Sequence, residues 1–367
     1  MEQSASDDAS DSCRVPVEER LTALARELGF SLVGIAPATE ADGFIHFQEW
    51  LENGYAGEMG YLHRQREARR HPSSILHDVR SVVMLGMEYA GSGNWKSAAV
   101  GRVAAYAAGP DYHRLVWDRI NLIAAWVERE VPGCHAKGVA DTAPLLERDF
   151  ARRAGLGWVG KNTLLINPSR GSFFFLAAVL TDLELKVAEP FAGSHCGTCT
   201  ACLEACPTKA FPQPHVLDAT KCISYLTIEL RTPIPVELRE PMGDWLFGCD
   251  VCQEVCPWNR HLEMGPNTFP HDATMEFLDP AELLGLNEDE FRDRFKKTAL
   301  WRTRRAGLLR NAAIVLGNVG DDRALAALVK ATCDQEEVVR EAAAWAIARI
   351  HQRTSRVNSG LPSGSSV

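Results

Sequence analysis

Eight cysteines between residues 196 and 256 constrain this chain more than anything else in it. Cys196, Cys199, Cys202 and Cys206 follow the spacing C-x2-C-x2-C-x3-C-P, closing at Pro207. Bacterial ferredoxins hold iron–sulfur clusters with this loop. Cys249, Cys252 and Cys256, followed by Pro257, repeat its last three positions. The position equivalent to Cys196 is Leu246, so the second set takes its missing ligand from elsewhere, and Cys222 is the candidate. Eight thiolates predict two four-iron, four-sulfur (4Fe-4S) clusters. In two-cluster loops the cysteine before proline ligates the other cluster. The predicted sets are therefore Cys196, Cys199 and Cys202 with Cys256, and Cys222, Cys249 and Cys252 with Cys206. Structural zinc uses two separated C-x2-C pairs, which three cysteines in successive three-residue steps do not match. Disulfides are not expected either, because Met1 to Cys13 is rich in Ser, Asp and Ala, with neither the basic start and apolar core of a secretory signal nor a twin arginine. The expected compartment is the cytoplasm.

A chain of 367 residues has room for two or three domains. No apolar run approaches the roughly 20 residues that span a membrane. A net charge of −9 speaks against a nucleic-acid partner at the level of the whole chain. Local charge can differ, and between Phe291 and Arg310 eight basic residues (Arg292, Arg294, Lys296, Lys297, Arg302, Arg304, Arg305, Arg310) face one acid, Asp293. Taken alone, that stretch reads as a solvated helix face.

The sequence divides into a disordered tail (1–15), an α/β domain (16–188), a ferredoxin-type module (189–262), a helical domain (263–351) and a second loose tail (352–367). In the α/β part, an amphipathic helix over Val17 to Phe30, a strand over Ser31 to Ala36, a helix over Phe44 to Asn53 and a strand over Ser81 to Tyr89 alternate. Tyr112 and His113, after a glycine turn, read locally as loop packing. Asp141, ahead of Pro144, reads locally as a helix cap. Gly155 to Asn162 is a glycine-rich loop matching no nucleotide fingerprint. Thr163 to Asn167 and Ser172 to Leu180 flank a turn, a hairpin in form. The insert from Lys221 to Glu229 is longer than a cluster module needs, which suggests docking or a pocket. Near the end, Val339-Arg340-Glu341-Ala342-Ala343-Ala344-Trp345-Ala346 looks like a HEAT-type helical repeat. Two clusters move single electrons and do not account for the domain ahead of them, so a second redox cofactor or a substrate site is expected there.

Several stretches together resemble the epoxyqueuosine reductases, relatives of the cobalamin-dependent reductive dehalogenases. They are Tyr106-Ala-x-Gly109-x-Asp111-Tyr112-His113, Asp141 to Arg148, Gly157-Trp158-x-Gly160-Lys161-Asn162, Cys222 to Glu229, and Gly248 to Asn259. The resemblance implies a base-off cobalamin between the α/β domain and the clusters. It implies reduction of epoxyqueuosine to queuosine at the wobble position of tRNAs for Asp, Asn, His and Tyr. Asp141 matches the family's proton donor and supersedes the cap reading; to act as an acid near neutral pH it would need a partly desolvated carboxyl. By position, Lys161, Asn162, Thr163, Ser172 and Phe173 would lie on the corrin side, Asp250 and Val251 between both cofactors, and Arg64 nearby. With tRNA as substrate, Lys296, Lys297, Arg302, Arg304, Arg305 and Arg310 become expected phosphate contacts. A monomer fed by flavodoxin or ferredoxin, with no membrane partner, completes the expectation. Rival readings are a dehalogenase-like corrinoid enzyme and a non-catalytic electron carrier.

Overall fold

A computed structural model describes residues 15–89, 101–260, 269–275 and 277–358. The tail expected at 1–15 lies outside the described residues except for Val15, and so does Cys13. The tail expected from 352 is instead helical as far as Asn358 and lies outside them from 359.

The chain opens with α1 (Val17–Glu27), β1 (Leu32–Pro37), α2 (Phe44–Glu52), α3 (Gly60–Arg64) and β2 (Ser81–Glu88). It continues through β3 (Arg102–Val103), α4 (Tyr112–Glu130), β4 (Ala136–Val139), α5 (Glu147–Arg153), β5 (Trp158–Val159), β6 (Leu165–Ile166) and β7 (Phe174–Thr181). The main sheet has the order β1-β2-β7-β4, and every neighbouring pair is antiparallel. Because side chains alternate across a strand, β2 feeds two cores. Val83, Leu85 and Met87 pack with Leu21 of α1 and Val116, Ile120 and Ile123 of α4. Val82 and Met84 pack with Phe44 of α2 and Phe150 and Ala151 of α5. Burial on both faces explains why β2 is an uninterrupted apolar run. The hairpin expected around residue 170 closes at an Asn167–Gly171 bridge, but its arms then part: β6 pairs with β5 and β7 joins the main sheet.

The cysteine module carries α6 (Ala201–Glu204), α7 (Ile223–Ile228), α8 (Val236–Arg239), β8 (Trp245–Phe247) and α9 (Val251–Glu254). Helices α6 and α9, each holding the third cysteine of its motif, pack together. The helical region follows with α10 (Pro280–Leu283), α11 (Glu288–Phe295), α12 (Arg304–Val319), α13 (Leu325–Ala331) and α14 (Glu337–Asn358). Helices α12 and α14 meet closely at Gly317, where a Cβ would stand 2.4 Å from the Trp345 ring.

One continuous core joins module and helical region: Leu226 and Leu246 of the module share it with Leu308, Leu309, Ala312 and Val315 of α12. Polar clamps reinforce the join. Buried Arg310 donates to the carbonyls of Leu226 (2.6 Å), Leu230 (2.8 Å) and Thr232 (2.8 Å). Asn311 donates to Thr227 and Leu246. The long insert is thus a mount for the helical region.

Candidate active site

A cleft of about 1030 Å³ lies where the three parts meet. Tyr106, Tyr112, His113, Trp117 and Asp141 come from the sheet domain, Cys222, Tyr225 and Glu229 from the insert, and Trp301, Arg302 and Arg304 from the helical region. Its volume stands at the upper end of the roughly 300–1,000 Å³ of ordinary small-molecule sites.

Asp141 sits between β4 and α5, with α5 starting only at Glu147, so it caps no helix. Its φ of +52° is the left-handed region that Asp tolerates better than most residues. Three contacts hold it there. Its N–H donates to Glu147 Oε1 at 2.8 Å, and its Oδ2 accepts from Tyr112 Oη at 3.1 Å and pairs with His113 Nε2 at 2.8 Å. Asp111, the cap of α4, holds the other ring nitrogen at 2.7 Å. Tyr112 is wedged between His113 and Phe175, with ring centroids at 4.1 and 4.2 Å.

The charge state differs from expectation. Burial opposes the imidazolium of His113, but the two carboxylates outweigh it and push the pKa up to about 9. Burial likewise raises Asp141, yet the hydrogen bonds from His113 and Tyr112 win and hold its carboxyl below the usual range. The unliganded cleft therefore carries an ionised Asp141, with the proton on His113. The local reading of Tyr112 and His113 as loop packing is corrected, since both belong to the site. Burial, then the charge of Asp141, pushes Glu147 up to about 7. Glu147 went unassigned in the sequence because a side chain serving one backbone N–H has no motif. Replacing it with Ala should free the Asp141 backbone and lower kcat about 100-fold, the scale of a small misplacement. Glu147→Gln, which keeps the acceptor, should recover most of it at unchanged substrate affinity in a steady-state comparison.

The sulfurs fall into two neighbourhoods. Cys196, Cys199, Cys202 and Cys256 line a cavity of about 230 Å³. Burial, then the neighbouring thiols Cys256, Cys196 and Cys199, push the Cys202 thiol up. Burial, then Cys222, Asp250 and Cys206, do the same for Cys249, and burial, then Cys249 and Cys222, for Cys252. The buried Trp158 and partly buried Phe191 and Trp258 pack around Cys196 and Cys256. Among the described residues no three of His, Cys, Asp or Glu are close enough to share one metal ion. Of the cysteines outside the two sets, Cys134 is half-buried and Cys333 is exposed.

None of the residues expected to touch a corrin is among those lining the cleft of about 1030 Å³. Lys161 donates to the carbonyls of Gly197 (2.8 Å) and Cys199 (2.9 Å), which pins it to the first cysteine loop. Asn162 reaches the Cys252 carbonyl, and Ser172 bonds Gln253 and Asn259. Thr163, at φ +65°, accepts from Arg148, and Phe173 packs edge-on against Tyr89. Asp250 accepts from the Ala105 N–H at 2.7 Å, and Val251 opens α9 against the shared core. Except for exposed Arg64 on α3, these residues serve the seam between sheet domain and cysteine module or pack within it.

Within the basic stretch, only Arg305 and Arg310 are too buried to meet the expectation of phosphate contact. Arg310 is buried under the insert, and Arg305 is bound to the Leu286 carbonyl and to Asp334. Arg302 pairs with Glu229 at 2.6 Å on the cleft wall, and Arg292 and Arg294 pair with Asp289 and Glu282. Lys296, Lys297 and Arg304 are exposed, with no ion-pair partner among the described residues.

Three family models match the chain: a 4Fe-4S double cluster binding domain over 195–259, "Epoxyqueuosine reductase QueG, DUF1730" over 69–142, and HEAT repeats over 299–358. The epoxyqueuosine reductase of Pseudomonas aeruginosa is 40% identical over 332 residues, 88% of this chain and 92% of that protein. That of Escherichia coli is 36% identical over 333 residues, 89% and 88%. A crystal structure of epoxyqueuosine reductase with an epoxyqueuosine-modified tRNA-Tyr stem loop superposes with a TM-score of 0.84 at 29% identity, covering 91% of this chain and 90% of that one. The Bacillus subtilis enzyme, with its catalytic aspartate loop swung out of the active site, gives 0.80 at 28% identity, again covering 91% and 90%.

Proposed function

Because the chain belongs to the epoxyqueuosine reductase family, we propose that its cleft is where epoxyqueuosine at the wobble position of tRNA is reduced to queuosine, with Asp141 delivering the proton. The observation that carries this reading is a shared wall: Cys222, of the second cysteine set, and Asp141 line one cavity. The reaction takes up two electrons and two protons and releases the epoxide oxygen as water.

The cleft fits the family's cofactor in three respects: its size, its apolar walls at Tyr106, Ile228 and Phe247, and its histidine. Both ring nitrogens of His113 are engaged, so it is not free to act as a cobalt ligand. Tyr106, Ile228 and Phe247 would hold the corrin. When bound there, cobalamin would supply low-valent cobalt as the reductant of the epoxide. Cys199 is exposed and Cys222 reaches the cleft, so clusters held by the two cysteine sets would supply single electrons from an external donor such as flavodoxin or ferredoxin.

Asp141 and His113 manage the proton. Below about pH 9 His113 keeps one in reserve. Negative charge developing on the epoxide oxygen draws the proton held on His113 Nε2 through the Asp141 carboxylate, which passes it on and is left ionised again. The Asp141 side chain is 52% exposed, so the pair reloads from solvent for the second transfer. Tyr112 holds the carboxylate in place throughout.

No described helix is long and apolar enough to cross a membrane. The reading assigns the reaction to a monomer in the cytoplasm, where tRNA resides. Its test is anaerobic incubation of the purified protein with cobalamin, a reductant and an epoxyqueuosine-bearing anticodon stem-loop. About eight irons and one corrinoid per chain, with a product lighter by one oxygen atom, are expected; a fully loaded protein that leaves the stem-loop unchanged overturns the reading.

Phosphate contact falls to Lys296, Lys297 and Arg304. Changing all three to Gln should weaken stem-loop binding and reduce the slope of log affinity against log salt by about 2, for roughly 0.7–0.9 per lost contact. Filter binding across a salt series measures this. An unchanged slope returns the stretch to a solvated face.

A further inference from the structure

Among the large hydrophobic side chains that the described residues leave exposed, only Trp117 (44%) and Trp301 (38%) are aromatic. Both line the same cleft. A side chain that lines a cavity and yet faces solvent stands at its mouth. They also come from different walls, Trp117 from α4 of the sheet domain and Trp301 from the turn at Ala299–Thr303 beside α12.

Neither ring hangs free. Trp301 stacks on buried Phe291, with centroids 5.4 Å apart and planes at 18°, and Trp117 meets His113 edge-on at 6.4 Å. The two walls are tied nearby, where the Asp111 N–H donates to the Lys297 carbonyl at 2.8 Å. Cations adjoin them: Arg304 lines the cleft beside Trp301, and the Arg302 guanidinium lies over the Tyr61 ring. Supported aromatic faces interleaved with arginines are the surface on which unpaired bases stack while their phosphates are neutralised.

The proposed reaction creates a need for such a surface. A wobble base that enters the cleft leaves its stack. The bases on either side then lose a neighbour and expose a face to water.

We propose that Trp117 and Trp301 are stacking platforms for the nucleotides flanking the modified base, taking up the faces it vacates. This rests on the tRNA reading above and adds the residues that make up the lost stacking.

The test is a thermodynamic cycle. Wild-type protein, Trp117→Ala and Trp301→Ala are each titrated with an epoxyqueuosine-bearing anticodon stem-loop and with versions abasic at the 5′ or the 3′ neighbour. Each Ala variant should bind the intact stem-loop about tenfold or more weakly, the scale of one lost base–aromatic stack. Against the matching abasic stem-loop that difference should vanish. Trp301→Phe should stay within a few-fold of wild type, and 2-aminopurine at the flanking position should be quenched by wild type but not by the matching Ala variant. Equal losses on intact and abasic stem-loops would mean that the tryptophans act only through the fold, which overturns the proposal. If wild-type protein fails to bind the intact stem-loop, the tRNA reading falls, and this proposal with it.

Discussion

Asp141→Asn should lower turnover by about 10²- to 10⁴-fold, the range of a lost general acid, while iron content, corrinoid and stem-loop affinity stay at wild-type levels. The amide nearly matches the carboxylate in shape and keeps the N–H that Glu147 holds, so the loop should stay in place. What it loses is the ability to pass on the proton stored on His113. The pH profile adds a second check. The pKa of His113 is raised by its two carboxylates, so the loaded pair is present below about pH 9 and is lost as pH rises through that value. Wild-type turnover should fall on the alkaline side near pH 9, and residual activity in the Asn variant should lack that limb. An Asn variant with full turnover would remove Asp141 from the chemistry.

Cys256→Ser should abolish turnover and release about half the iron, and the lost half should be the cluster of the distant loop. Cys256 lies in the cavity lined by Cys196, Cys199 and Cys202, whereas Cys249 and Cys252 neighbour Cys222. In this variant Cys196, Cys199 and Cys202 should become open to alkylation while Cys222 and Cys249 stay protected. Cys206→Ser should give the reverse pattern. Mass spectrometry after brief alkylation under anaerobic conditions reads both. Alkylation of Cys249 and Cys252 in the Cys256 variant would mean that each motif holds its own cluster.

The double-cluster module was legible in the sequence because the spacing of its cysteine motifs is a local property of the chain, and the helical repeat because its apolar period is one too. Strand partners were not. Residues 163–180 have the composition of a hairpin, and whether its arms stay together depends on β5 and β2 competing for them. The basic stretch failed for a related reason. Charge density in sequence does not tell Lys297, which faces water, from Arg310, whose guanidinium binds the carbonyls of Leu226, Leu230 and Thr232. The protonation of the Asp141 pair lay beyond sequence altogether, since His113 meets Asp141 only once α4 and the β4–α5 loop have packed.

Arg310 bears on how such a protein can change over generations. Its guanidinium binds carbonyls of the insert that carries Cys222, and Asn311 binds the β8 backbone. A recombination event that exchanged the terminal repeat for that of a distant cousin would leave those carbonyls unpaired in the segment behind Cys222. Buried orphaned acceptors cost about 1–3 kcal/mol each, enough in sum to empty the descendant of folded protein. The repeat therefore travels by descent with the cysteine module and is a poor candidate for shuffling, although by shape alone it looks detachable.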